Sequence, residues 1–162
     1  KLLWTKDLKM NTVNVLDVCR AIWFVCNRND IASGEMFHIV DNSKSTQGSI
    51  TELISDIFNI KYDYWGKTMS LMACKTNVSE LIDDINDKHM SAWSEICSKF
   101  NIKNTPINPY LYQELLQEKH LNLNGDKLEN FGFKYEVPLL NKESLVQMIE
   151  SYVLMGLFPD FK

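Results

Sequence analysis

Gly34-Glu35-Met36-Phe37-His38-Ile39-Val40-Asp41 is the stretch on which the fold turns. Met36 to Val40 is almost continuously apolar, the pattern of a short strand buried on both faces. Ahead of it, Asn29-Asp30 and Ser33-Gly34 punctuate a loop. Further back, the alternation Met10-Asn11-Thr12-Val13-Asn14-Val15 predicts an extended segment. It leads into a helix at Asp17–Cys26, apolar at Val18, Ala21, Ile22 and Val25. Asp17 sits where the positive end of that helix dipole favours a carboxylate. Downstream, Ser45-Thr46-Gln47-Gly48 is a polar connection. Ser49 and Glu52 have the spacing of a capping box, opening an amphipathic helix to Phe58. Strand, helix, strand, helix in this order predicts an α/β layer.

Beyond Tyr62 the character changes. Asn77-Val78-Ser79-Glu80 has the form of a second capping box and predicts a helix to about Ile85. A further helix is expected over Ala92–Phe100. Thr105-Pro106 and Asn108-Pro109 break the chain before one at about Tyr110–Gln117. His120–Asn124 suits a short strand. Asp126–Phe131 suits a short helix closed by Gly132, and Lys142–Met155 a last helix stopped by Gly156 and Pro159.

Composition narrows the function classes. The 162 residues suffice for one domain with a core; 45% are hydrophobic and 23% charged. The net charge of -4, with lysines scattered among acids, is the wrong sign for a nucleic-acid partner. No apolar run approaches the roughly 18–20 residues of a membrane span. Cys19, Cys26, Cys74 and Cys97 form no CxxC pair, and Cys19 and Cys26, seven apart on one apolar helical pattern, predict small core residues in a reducing, cytoplasmic compartment. The chain starts at Lys1 without a signal-like segment, which suggests the interior of a longer protein.

Site chemistry is sparse. His38, His89 and His120 are far apart and lack helical ligand partners, so no metal site is expected. Asp83-Asp84-Asn86-Asp87 lacks the Gly and terminal Glu of a calcium loop and fits a solvated helix face. Gly48 before a helix could cradle an anion, but capping explains it without a ligand. The Tyr62-Tyr64-Trp65 and Tyr110-Tyr112 groups could wall a cleft; core or interface packing is the simpler role.

Three landmarks in order carry a resemblance. Asn11-Thr12-Val13-Asn14-Val15-Leu16-Asp17-Val18-Cys19-Arg20-Ala21-Ile22-Trp23 resembles the Val-His-Val-x-Asp-Val segment and Arg-Ala helix of extended short-chain dehydrogenases/reductases. Gly34–Asp41 is similar to their Gly-x-x-Phe-Asn-Ile strand. Asp126–Pro138 is similar to their Leu-Gly-Trp-x-Pro stretch, and the helix carrying Ser144–Tyr152 follows. Among such proteins, NAD-dependent epimerase/dehydratase-like members of lower eukaryotes share the Leu3–Leu8 lead-in.

The resemblance implies the last part of a Rossmann-type parallel sheet over residues 1–60 and a mainly helical substrate-binding lobe over 61–162. It implies NAD or NADP as cofactor of the full-length protein and a Tyr-x-x-x-Lys pair for hydride-transfer chemistry. Neither that pair nor a Gly-rich fingerprint occurs in these residues, so no catalytic or cofactor-binding residue is expected here, and none of the cofactor bound by this segment alone. The implied partners are the N-terminal half, in the same or a separate chain, a small-molecule substrate and, for an assembly, a second copy. Lys9, Met10, Asn11 and Asn14 occupy the substrate-contacting positions. The arginine usual ahead of Asn11 is absent, with Met10 nearest its place, and no later Arg-x-Gly-Asp follows. A nucleotide sugar is therefore a poor fit, and a small hydroxyl or carbonyl compound a better one. A non-catalytic regulatory or binding protein is the alternative function.

Overall fold

The computed structural model describes residues 1–28, 32–75 and 78–161. The Asn29-Asp30 loop signal and the capping box that begins at Asn77 lie outside the described residues.

Helix α1 spans Val15–Cys26. It begins two residues before the Asp17 start expected from its apolar period, because Asn14 caps it. Asn14 is extended, and its side-chain oxygen accepts the Leu16 amide at 2.9 Å. Helix α2, Gln47–Phe58, also starts early. Its capping box is Thr46 with Ser49 rather than Ser49 with Glu52, each hydroxyl accepting the other residue's amide. Gly48 is needed in that first turn for close approach. A Cβ there would stand 2.9 Å from both Cβ and carbonyl oxygen of Lys6.

Helix α3, Gly66–Lys75, has no counterpart in the sequence-based expectation. Helix α4, Val78–Lys99, runs unbroken where two shorter helices were expected. The expected Tyr110–Gln117 helix is reduced to a single 3-10 turn, Gln113–Leu116. Helices α5, Asp126–Asn130, and α6, Lys142–Leu154, fall where the sequence puts them. Gly132 and Gly156 follow them with φ of 96° and 69°, the left-handed geometry that stops a helix. Among the described residues no helix is long and apolar enough to cross a membrane.

The α/β expectation is overturned. The chain is 49% helix and 3% strand, with no sheet at all among the described residues. Three isolated bridges are the whole of the β pairing among the described residues: Leu2 with Tyr64, Trp4 with Gly66, and Lys9 with Thr46. The Rossmann-type parallel sheet read into residues 1–60 is therefore absent. Met36–Val40 is extended but unladdered, and the amide of neighbouring Asp41 donates to the Thr12 carbonyl at 2.8 Å. The apolar run encodes side-chain burial without pairing. Phe37 and Ile39 pack on a hydrophobic cluster, Val40 is buried, and Met36 and His38 are exposed. A five-residue apolar run reads alike in both cases, since periodicity reports which faces are covered and says nothing of backbone partners. His120–Asn124 is likewise extended, with the Leu121 amide on the Lys9 carbonyl at 3.0 Å.

The chain divides into two compact units. The first comprises residues 1–5, 62–118 and 145–162; its buried apolar residues include Trp4, Ile82 and Leu116. Within it the Trp4 amide donates to Ser70 Oγ at 2.7 Å, and its indole donates to the Leu116 carbonyl at 3.1 Å. Asn86, on α4, uses its side-chain amide like a strand edge, accepting the Leu111 amide at 2.6 Å and donating to its carbonyl at 3.0 Å. The second unit comprises residues 6–61 and 119–144 and holds the cluster of Ala21, Leu128 and Phe133.

Candidate functional site

Lys9, Met10, Asn11 and Asn14 share one extended run that enters α1, and most of their polar groups are engaged. The Lys9 amide donates to His120 Nδ1 at 3.2 Å, and the Met10 amide to the Ser45 carbonyl at 2.9 Å. Asn11 pairs with Leu123 as a second strand would, accepting its amide at 2.7 Å and donating to its carbonyl at 3.4 Å. Asn14 caps α1. The run is thus held along both edges, and the exposed Lys9 side chain is the group left to reach a ligand. As a single ammonium on a flexible stem it is a point charge and offers no bidentate grip.

A stronger constellation lies three residues on. Asp17, with no exposure, is the only fully buried charged residue among those described. Its two oxygens accept the amides of Glu136 at 2.9 Å and Val137 at 2.8 Å. Arg20, one turn along α1, donates to it at 2.7 Å and reaches Glu136 at 3.2 Å. A buried carboxylate is tolerable only when its lone pairs are filled this completely. Asp17 therefore ties the start of α1 to the chain beyond α5. Behind it, Ala21, Leu128 and Phe133 form a dry cluster joined by Phe24, Val25, Phe37, Ile39 and Tyr135. Phe133 meets Phe24 and Tyr135 edge to face at 5.5 and 5.0 Å.

The Tyr135 hydroxyl is buried with no hydrogen-bond partner among the described residues. Burial pushes its ionisation above the ordinary tyrosine range, with the carboxylates of Glu129, Asp17 and Asp41 adding to the rise. The Val40 backbone opposes this rise, although the hydroxyl meets hydrogen-bond geometry with no described group. Because the folded value lies above the unfolded one, the neutral phenol favours the fold. That contribution is complete below about pH 10 and is lost as pH rises through the folded value. Tyr135→Phe removes an unpartnered hydroxyl and is expected to raise stability by about 1 kcal/mol. It should also flatten the alkaline arm of a stability-against-pH curve measured by urea unfolding. An unchanged alkaline arm would contradict this account.

His38 and His89 are exposed, and His120 serves as an acceptor for Lys9. Among the described residues no three metal-ligating side chains stand together. Sequence reading gave Asp17 only a dipole role. Its spacing from Glu136 carries no signal, since the partners are backbone amides more than a hundred residues away. Comparison with protein-family models, curated proteins and solved structures finds no match to this chain.

Proposed function

We propose that the chain is the substrate-side, C-terminal portion of an NAD(P)-dependent oxidoreductase or epimerase/dehydratase of the extended short-chain type. Its substrate is a small hydroxyl or carbonyl compound, and the cofactor and catalytic pair reside on polypeptide ahead of Lys1. The observation supporting this reading is that the three stretches carrying the resemblance converge. Asp17 and Ala21 of the first, Phe37 and Ile39 of the second, and Leu128, Phe133 and the Glu136 and Val137 amides of the third form one clamp and one cluster. Segments chosen on sequence alone thus share a core within one unit. In this reading Lys9 is the residue that meets substrate, and its single charge suits a small polar compound better than a diphosphate.

One observation favours the non-catalytic alternative. Asn11 and Asn14 commit their side chains to Leu123 and Leu16, leaving half of the implied substrate contacts to structural work.

Sequencing the transcript ahead of Lys1, together with cofactor titration, tests the proposal. A Gly-rich nucleotide-binding turn and a Tyr-x-x-x-Lys pair are expected upstream. The purified 162-residue chain should bind no stoichiometric NAD(P) and turn over no NAD(P)H. An upstream sequence lacking both motifs, or tight dinucleotide binding by the chain alone, would contradict it.

A further inference from the structure

The outer side of α1 bears a feature that the clamp and cluster do not use. Arg20, Phe24 and Arg28 recur at spacing four, and so do Cys19, Trp23 and Asn27, giving two neighbouring stripes on one side of the helix and its following turn. With Gly132, Phe133 and Lys134 they line a shallow groove of about 650 Å³. That volume lies within the range of small-molecule sites.

Its surface is aromatic. Phe24 and Phe133 form the edge-to-face pair described above, and Trp23 leaves 73% of itself exposed beside them. An indole so bare is costly to keep in water without a partner. Among the described residues that line it, the charged ones are all cations. The Arg28 guanidinium stands 4.9 Å over the Phe24 ring, and that of Arg20 5.8 Å over the Phe133 ring. Stacking on a ring fixes the guanidinium plane and leaves its N–H edges pointing outward as donors. Arg20 is satisfied by Asp17 and Glu136. Among the described residues, neither Arg28 nor Lys134 forms an ion pair within 4.0 Å. Two cations without an ion-pair partner among the described residues thus flank bare aromatic surface on a chain whose net charge is -4. The negative end of the α1 dipole, near Asn27, opposes an anion with roughly half a charge, against two full charges in favour.

We propose that this groove binds a small planar aromatic anion, its ring stacked on Trp23 and its carboxylate or phosphate held by Arg28 and Lys134. The inference does not rest on the dehydrogenase-type reading, which assigns no binding role to these three side chains.

Calorimetric titration of the full chain with 1-naphthoate and, separately, 1-naphthyl phosphate covers the carboxylate and phosphate sources of the ligand. Inorganic phosphate and neutral 1-naphthalenemethanol are the half-ligands. At least one aromatic anion should saturate a single site, with both half-ligands weaker by about tenfold or more. Arg28→Gln, Lys134→Gln and Trp23→Ala should each lower affinity about five- to tenfold with the circular dichroism spectrum unchanged, since all three side chains are exposed. Lack of saturation by either anion would overturn the proposal. So would equal binding of the neutral alcohol, or full affinity in the Arg28→Gln/Lys134→Gln double variant.

Discussion

Replacing Asp17 with alanine is expected to cost about 3–5 kcal/mol, enough to unfold the unit it holds together. The substitution leaves the amides of Glu136 and Val137 without acceptors and strips Arg20 of its shortest ion pair. Each charge-assisted hydrogen bond of this kind contributes about 1.5–3 kcal/mol, and orphaned amides add their desolvation cost. Asp17→Asn keeps one acceptor oxygen but turns an NH2 group toward the second amide, so about half of that loss is expected. Arg20→Ala should cost less than either, because the arginine is substantially exposed and both backbone amides still bond the carboxylate. The order Ala, then Asn, then the Arg20 variant, read from urea unfolding, checks the clamp. An Arg20→Ala loss larger than that of Asp17→Ala would reverse the assignment.

The second large effect is expected at Trp4. Its side chain is 5% exposed, and Trp4→Ala should cost about 3–5 kcal/mol through lost burial and the cavity left behind. Trp4 also adopts φ of 66°, a left-handed conformation that strains any residue with a side chain. Three hydrogen bonds hold it there: its amide to Ser70 Oγ, its indole to Leu116, and the Gly66 amide to its own carbonyl at 3.0 Å. Trp4→Phe keeps much of the buried ring area and loses the indole bond, so a loss of about 1–2 kcal/mol is expected. The two variants separate packing from hydrogen bonding. Equal losses for both would place the whole effect on the indole N–H.

What the sequence disclosed divides along physical lines. Helices with a clear local stop were legible: α5 and α6 end at Gly132 and Gly156, whose left-handed geometry is written in a single residue. Caps were legible in kind but misplaced in register. Thr46-x-x-Ser49 and Ser49-x-x-Glu52 overlap, and the close contact of Gly48 with Lys6 is not a local property. The strand reading of Met36–Val40 failed because burial of Phe37, Ile39 and Val40 produces the same apolar letters with or without a ladder. Asn86 shows the converse. Placed among aspartates it reads as a solvated face, yet it is buried and clamps Leu111. In the candidate site, the run from Lys9 to Asn14 was located, but the duties of Asn11 and Asn14 were not: Asn11 bonds the backbone of remote Leu123, which no spacing rule reveals, while the local N-cap at Asn14 was read as part of the extended segment. Arg28 and Lys134 were invisible as a pair for the same reason: a hundred residues separate two cations that line one groove.

The clamp that joins the start of α1 to the chain beyond α5 is tested most directly by amide hydrogen exchange at Glu136 and Val137. Neither amide belongs to a helix, so their protection depends on the Asp17 carboxylate. Both are expected to exchange slowly in the native chain and to become as fast as exposed loop amides in Asp17→Ala, under conditions where α4 remains protected, with one of the two released in Asp17→Asn. Fast exchange of both amides in the native protein would contradict the account.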